Sequence, residues 1–188
     1  MGAEESTEHQ EEWDNIRRQY VMVKEITHRT LGEIALLKHQ ATGELVGIKN
    51  AQANSDEEQI DFVEKFRVRS QLSHNNIATI KAMNVRSEDA LCGSFHKIEI
   101  MFEYYDYDLL KDIAARASTD QFYTTQEMWN ISASISEGLA YLQDNRIPHQ
   151  DVQPENVLLN VNGTIKMGDY GLITGGLTGY YKLLSGKT

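Results

Sequence analysis

The sequence predicts an α+β fold in which a strand-rich first half is followed by a mainly helical second half. Residues 20–49 have the pattern of three strands, with Ala41-Thr42-Gly43 as the turn before the third. Apolar residues at helical spacing predict a long helix over residues 125–144. After it, two short apolar runs flank Asn162-Gly163, the strongest short-range signal for a β-hairpin. A chain of 188 residues with 40% hydrophobic content can enclose a sizeable core.

Residues 1–19 predict an acidic tail that contains a short helix. Acidic residues dominate its first positions, and Trp13, Ile16 and Tyr20 recur at helical spacing. Two interpretations remain open for this helix. It either packs on the domain through its apolar residues or remains free to bind a partner.

The composition restricts the class of protein. The net charge of −10 argues against nucleic acid as a partner, and no apolar run approaches the length of a membrane span. Gly2 fits the pattern for myristoylation, but Glu4 and Glu5 would be repelled by an anionic leaflet, so we expect no lipid anchor. Without a secretory signal, and with Cys92 as the single cysteine, we expect a cytoplasmic protein, with association with the cytoskeleton left open.

Further helices and one strand are predicted along the chain. Residues 55–72 should form a helix with a capping box from Ser55 to Glu58. Residues 98–102 alternate as a strand, and residues 109–117 read as a short helix. The apolar faces are predicted from spacing to be Ile60, Val63 and Phe66 on the first helix, and Ile131, Ile135, Leu139 and Leu142 on the helix that Thr124 and Glu127 can cap.

The hairpin predicts which residues face each other near the end of the chain. A two-residue turn at Asn162-Gly163 would pair Leu158 with Met167 and, at the open end, Asn156 with Asp169. An amide and a carboxylate would then lie about 5 Å apart at the backbone. Such oxygen ligands suit Mg²⁺.

Three motifs resemble those of eukaryotic protein kinases. His149-Gln150-Asp151-Val152-Gln153-Pro154-Glu155-Asn156, within the predicted loop 147–159, is similar to the catalytic loop His-Arg-Asp-Leu-Lys-Pro-Glu-Asn. Asp169-Tyr170-Gly171 resembles the metal motif Asp-Phe-Gly, and Val46-Gly47-Ile48-Lys49 resembles the strand Val-Ala-Ile-Lys. The resemblance implies a bilobal fold: residues 20–105 would form a small antiparallel sheet with one helix and the hinge, and residues 106–188 a truncated, mainly helical lobe.

The resemblance also implies roles for individual residues. Asp151 would accept or orient the proton of a substrate hydroxyl, and Asn156 and Asp169 would hold Mg²⁺. Lys49 would contact the ATP phosphates. The remaining nucleotide residues would be Gly32 in the phosphate loop, Phe102 as gatekeeper, and Glu103 to Tyr105 as the hinge that receives adenine.

Several positions depart from the kinase pattern. The first two of three phosphate-loop glycines are replaced by Thr27 and Arg29, so we expect weak ATP binding, although Arg29 could supply a cation to phosphate. Gln153 replaces the lysine that steadies the transferred phosphate, which removes a positive charge. Gln150 replaces the arginine used to sense activation-loop phosphorylation.

The helix after the lysine strand leaves two alternatives open. Counted without a gap, Lys65 occupies the place of the glutamate that pairs with this lysine, and Glu64 lies one residue earlier. Either the helix rotates by about 100° to present Glu64, or the pair is missing, as we expect.

These departures favour a pseudokinase that binds ATP weakly and acts as a protein-interaction scaffold. The alternatives are a Ser/Thr kinase of low rate and a structural subunit without ligand. The segment Thr178-Gly179-Tyr180-Tyr181 and the Asp-Tyr-Gly variant lean towards the NIMA-related group. Because the kinase resemblance stops before the lower helices, we expect a partner protein or a second copy to cover exposed apolar surface.

Overall fold

The computed structural model describes residues 2–28, 32–90 and 93–170. The chain forms two compact units: Met1–Gln71 with Thr79–Tyr104, and Leu72–Ala78 with Tyr105–Thr188. The sequence-based division had placed the boundary after residue 105 and had kept residues 72–78 in the earlier part. The segment 72–78 lies in the second unit because its backbone pairs with the last strand described there.

The first unit is built on an antiparallel sheet of five strands. Residues 20–49 supply three strands as predicted, and the turn before the third contains Gly43 at φ +75°. Glycine adopts this left-handed conformation without a steric penalty. The strand order is β1-β2-β3-β5-β4, with β1 (Tyr20–His28), β2 (Gly32–His39), β3 (Leu45–Ala53), β4 (Ile80–Ala90) and β5 (Gly93–Glu103).

The helix α1 (Gly2–Arg18) packs on this sheet through Trp13. The indole is only 2% exposed. Ile16 and Tyr20 pack beside it, which confirms the sequence-based alternative in which this helix contacts the domain. The core residues around the indole are Leu37, Val46, Ile48, Ala82 and Met101.

The helix α2 (Asp56–Arg69) begins as predicted, but it buries a different face. Ser55 accepts a hydrogen bond from the amide of Glu58, 3.2 Å away. The predicted apolar face was wrong, because Ile60 and Val63 are exposed, whereas Phe62 and Arg69 are buried. Two sets of apolar residues with similar helical spacing lie on this helix. The set that packs against the sheet is centred on Phe62, whose side chain is larger than those of Ile60 and Val63.

The second unit combines two helices with a small sheet. Thr124 and Glu127 form the predicted capping box at the start of the long helix. Of the apolar residues predicted to be buried on this helix, only Leu142 is fully buried. The predicted buried face was therefore too long. The elements are β6 (Tyr107–Asp108), α3 (Leu109–Ser118), α4 (Thr125–Asp144), a 3-10 turn (Pro154–Asn156), β7 (Val157–Leu159) and β8 (Ile165–Met167), with sheet order β6-β7-β8.

The helix α4 approaches the segment 76–78 closely at Gly138. A Cβ atom at this glycine would lie 2.7 Å from the carbonyl oxygen of Asn76 and 3.1 Å from Met167. The same Asn76 carbonyl accepts the amide of Met167, at 2.8 Å. The absence of a side chain at Gly138 therefore allows α4 to pack against the strand that leads to the metal motif.

The hairpin β7–β8 forms, but its predicted register was wrong by one residue. Val157 pairs with Met167 and Leu158 with Lys166. The turn is longer than two residues, since Asn160 closes it and Gly163 adopts φ +84°. A three-residue loop that ends in a left-handed glycine is the next most common hairpin connection. Together with the hydrogen-bonded elements of the first unit, this hairpin confirms the α+β class.

Candidate active site

The loop before β7 places two polar side chains around one carboxylate. Gln153 Nε2 donates a hydrogen bond to Asp151 Oδ2 at 2.9 Å. Asn156 Nδ2 donates to the same oxygen at 2.8 Å and to the backbone carbonyl of Asp151 at 2.9 Å. In the described part of the chain, no cationic side chain contacts this carboxylate. The structure therefore brings together the three residues that the sequence assigned to catalysis.

Asn156 is held in an orientation that suits a cation. It is 2% exposed, and within the described part of the chain its side chain makes two hydrogen bonds, both donated by the amide nitrogen. The amide oxygen is therefore the atom left for a metal ion. Its backbone carbonyl accepts the amide of Gly168 at 2.8 Å, so Asn156 lies opposite Gly168 and not opposite Asp169 as predicted. The three-residue turn causes this shift.

Two residues of the candidate site have an unfavourable backbone conformation. Gln150 has φ +68° and Asp169 has φ +47°. Such left-handed conformations are uncommon for residues other than glycine, although aspartate adopts them more readily than most. Strain of this kind persists only where surrounding contacts hold it, and it is concentrated at functional sites.

His149 is buried behind the catalytic loop. Burial lowers the pKa of its imidazole, and the charge of Asp151 opposes that shift. The ring is therefore neutral at pH 7. Its edge approaches the ring of Tyr170, with centroids 6.5 Å apart and planes at 63°. His149 thus acts as packing for the metal motif and does not add a positive charge to the site.

The first unit carries the predicted phosphate-binding lysine. Lys49 lies on β3 opposite Ile34 and Ile100, and it is only 6% exposed. Glu64 is exposed and makes no ion pair within the described residues, so the rotated helix that would present it is not observed. Lys65 is half-buried and pairs with Asp61 one turn earlier. The helix α2 therefore offers Lys49 no carboxylate from position 64 or 65.

The gatekeeper Phe102 lies against Gly47 on the neighbouring strand. The two residues pair across β3 and β5. A Cβ atom at Gly47 would be 2.6 Å from Cζ of Phe102 and 2.8 Å from Cε2. Residues two apart on a strand share a face, so the ring covers the face of β3 that carries Lys49. The glycine that replaces alanine in the kinase-like motif is what makes room for this ring.

We predict that Gly47→Ala lowers the stability of the fold by about 1–3 kcal/mol because it overpacks this contact. The added methyl group would collide with a ring that the strand pairing holds in place. Phe102→Leu in the same chain should recover part of the loss, because the shorter side chain leaves the space empty. Chemical unfolding of both single variants and the double variant measures this coupling. Strictly additive losses would contradict the contact.

The hinge and phosphate-loop residues are placed by different elements. Glu103 ends β5, where its amide donates to the carbonyl of Thr79 at 2.9 Å and its carboxylate accepts the amide of Thr79. Tyr105 is buried in the second unit. Gly32 begins β2 opposite His28. Arg29, proposed above as a phosphate contact, lies outside the described residues.

Sequence analysis assigned no role to the hydroxyl group of Tyr170. In the structure this hydroxyl donates a 2.8 Å hydrogen bond to the carbonyl of Ala78. The available signal was the replacement of phenylalanine by tyrosine in the motif resembling Asp-Phe-Gly. A buried hydroxyl requires a partner, so the substitution pointed to an additional hydrogen bond.

The described residues contain no cluster of three or more histidine, cysteine, aspartate or glutamate side chains that could hold a metal ion. Mg²⁺ is usually held by only one or two carboxylates, with water and phosphate as further ligands, so a site at Asn156 and Asp169 does not require such a cluster.

Among the described residues, every helix is too short or too polar to traverse a bilayer. The cytoplasmic location stays a prediction.

Residues 20–178 match the family described as protein kinase domain. The five-stranded sheet, the catalytic loop and the hairpin that follows it agree with this match. The chain belongs to the protein kinase domain family.

Two curated relatives are protein kinases by name. Cyclin-dependent kinase 12 of Caenorhabditis elegans is 27% identical over 157 residues, which is 81% of this chain and 21% of that protein. CTD kinase subunit alpha of Schizosaccharomyces pombe is 27% identical over 155 residues, again 81% of this chain and 24% of the relative. The chain thus spans less than a quarter of either relative. Their names do not support the lean towards the NIMA-related group.

Proposed function

We propose that this chain is a kinase domain that binds ATP weakly with Mg²⁺, transfers phosphate at a strongly reduced rate, and acts mainly through a protein partner. The proposal depends on the side chains that contact the carboxylate of Asp151. Two neutral amides, from Gln153 and Asn156, contact its carboxylate, and the described residues supply no cation to it. Asp151, the proposed catalytic base, is retained, but the described residues do not place the expected positive charge beside it.

The missing charge matters because phosphoryl transfer depends on electrostatic stabilisation. Negative charge spreads over the transferred group in the transition state, and protein cations and metal ions neutralise it. An amide at position 153 can donate a hydrogen bond, as it does to Asp151, but it cannot supply a full charge. Removal of one such stabilising group typically costs about 10²- to 10³-fold in rate.

The helix α2 gives independent support for reduced transfer. An active protein kinase needs an ion pair between the strand lysine and a glutamate on this helix. Here Glu64 is exposed without an ion pair in the described part of the chain, and Lys65 pairs with Asp61. The two candidate positions on α2, 64 and 65, therefore do not provide the glutamate of this ion pair.

Binding of nucleotide is favoured by the residues that are retained. Lys49 would contact phosphate, and Asn156 and Asp169 would hold Mg²⁺. The described hydrogen bonds of the Asn156 side chain are donated by its amide nitrogen, so its amide oxygen can face the cation. When bound, the cation would neutralise charge on the phosphates. Asp151 would orient a substrate hydroxyl through the carboxylate oxygen that the two amides leave open.

Thermal unfolding with and without Mg²⁺-ATP tests the binding step. A ligand at 100 times its dissociation constant should stabilise the fold by about 2.7 kcal/mol. We expect the wild type to shift by a few degrees, and Lys49→Met and Asp169→Asn to shift much less. A phosphate-transfer assay on a generic protein substrate, with Asp151→Asn as control, then measures catalysis.

The outcomes separate the alternatives. A shift together with transfer at a rate typical of kinases, about 1–100 s⁻¹, would overturn the proposal in favour of an active Ser/Thr kinase. No shift at millimolar nucleotide would overturn it in favour of a structural subunit without ligand. A shift with very slow transfer supports it.

Two exposed aromatic side chains support the role of a partner. Phe122, which precedes α4, is 82% exposed, and Trp129, near the start of α4, is 64% exposed. Large aromatic residues in solvent are typical of protein-binding surfaces. Whether a partner or a second copy covers them can be measured by light scattering of the pure protein. A dilute monomer that is well behaved and binds no protein would contradict this part of the proposal.

A further inference from the structure

Tyr170 is tied to a distant segment of the second unit by its hydroxyl group. The side chain is only 2% exposed, and the hydroxyl donates to the carbonyl of Ala78, 92 positions earlier in the chain. Ala78 is itself fixed, because its amide donates to the carbonyl of Met167 at 2.9 Å. The hydroxyl of Tyr170 is therefore bound to a segment that is itself hydrogen-bonded to β8.

The residue before Tyr170 has a strained backbone conformation. Asp169 adopts φ +47°, which is unfavourable for a residue with a side chain. On one side the chain is held by the bond from the Gly168 amide to the carbonyl of Asn156. On the other side it is held by the tyrosine hydroxyl. The two bonds bracket the strained residue.

We propose that Tyr170 is a positioning residue whose hydroxyl holds Asp169 in its metal-binding conformation. The inference rests on the proposed function, in which Asp169 is a ligand of Mg²⁺. The phenylalanine of the Asp-Phe-Gly motif has no hydroxyl group, so this bond is a property of the present chain. It compensates in part for the weak nucleotide binding, because a preorganised carboxylate does not have to be ordered when the metal arrives.

A purely structural role makes a different prediction. If Tyr170 only fills space, the ring is sufficient, and the ring is held independently by its edge contact with His149. Tyr170→Phe retains this ring and removes the hydroxyl group with its hydrogen bond to Ala78. Tyr141→Phe is a matched control, because its hydroxyl also bonds to the backbone of the second unit, but to the amide of Ser73 at 3.1 Å and not to Ala78.

The first readout is the affinity for ATP with Mg²⁺ and with EDTA, measured by calorimetry. Loss of one hydrogen bond should weaken the Mg²⁺-dependent part of ATP binding by about 3- to 10-fold in Tyr170→Phe. Affinity in EDTA should not change, and Tyr141→Phe should match the wild type in both conditions. Equal weakening with and without Mg²⁺, or equal effects of the two variants, would overturn the inference and leave the proposed function intact.

The second readout does not depend on nucleotide. Amide hydrogen exchange of the ligand-free protein should be faster at residues 167–170 in Tyr170→Phe, and unchanged there in Tyr141→Phe. If the wild type binds no Mg²⁺-ATP, the proposed function fails, and this exchange pattern alone decides whether the hydroxyl holds the segment. Unchanged exchange at residues 167–170 would overturn the inference.

Discussion

Replacing Gln153 with lysine is expected to raise the rate of phosphate transfer by about 10²- to 10³-fold, the usual effect of one stabilising group in such a transition state. Gln153 already reaches the carboxylate of Asp151 at 2.9 Å. A lysine at the same position could therefore place its ammonium group beside the transferred phosphate. The gain should appear in the turnover rate at saturating ATP, because the new charge acts mainly in the transition state.

Two controls make this result specific. Gln153→Met has a similar length and no charge, so it should give no gain. Asp151→Asn in the lysine background should return the rate to its original level, since the proton acceptor would be lost. If the lysine variant transfers phosphate no faster than the wild type while still binding Mg²⁺-ATP, the missing charge is not what limits the reaction. The unpaired Glu64 would then be the next cause to test.

Trp13→Ala is expected to lower the stability of the first unit by about 3–5 kcal/mol, the usual cost of truncating a buried aromatic residue to alanine. The indole is 2% exposed and joins α1 to the core of the five-stranded sheet. Its removal leaves a cavity that the sheet cannot close, because Leu37 and Met101 are fixed by strand pairing.

Trp129 provides the matched control because it is the other tryptophan of the chain and is 64% exposed. Trp129→Ala should change the free energy of unfolding by less than about 0.5 kcal/mol. Urea unfolding followed by circular dichroism measures both variants. Equal small effects would show that α1 does not stabilise the domain. The same pair separates fold stability from partner binding, since only Trp129→Ala should weaken association.

Local sequence was sufficient to predict most elements and the grouping of Asp151, Gln153 and Asn156. The N-cap hydrogen bond at Ser55 and the capping box at Thr124 depend on residues three positions apart, so their spacing is visible without a structure. At Ser55 the predicted box is incomplete, because the Glu58 carboxylate accepts the amide of Asn54. The contacts of Asp151 with Gln153 and Asn156 lie within one short loop. Such features are decided by neighbours in the chain, and sequence reasoning reached them for that reason.

Errors arose where two local solutions had nearly equal energy. The turn at Asn162-Gly163 can close after two or three residues, and the pairing of β7 with β6 and β8 selected the longer loop. On α2, Ile60 and Phe62 mark two alternative faces, and packing against the sheet chose the second. A change of one residue in either place redirects every side chain that follows.

The sequence by itself determined the α+β class, the kinase-like motifs and the loss of charge at position 153. Only the tertiary structure decided the hairpin register, the buried face of α2 and the bond from Tyr170 to Ala78. The physical reason is distance along the chain. Contacts between residues 92 positions apart depend on how whole elements pack, and no local pattern in the sequence encodes them.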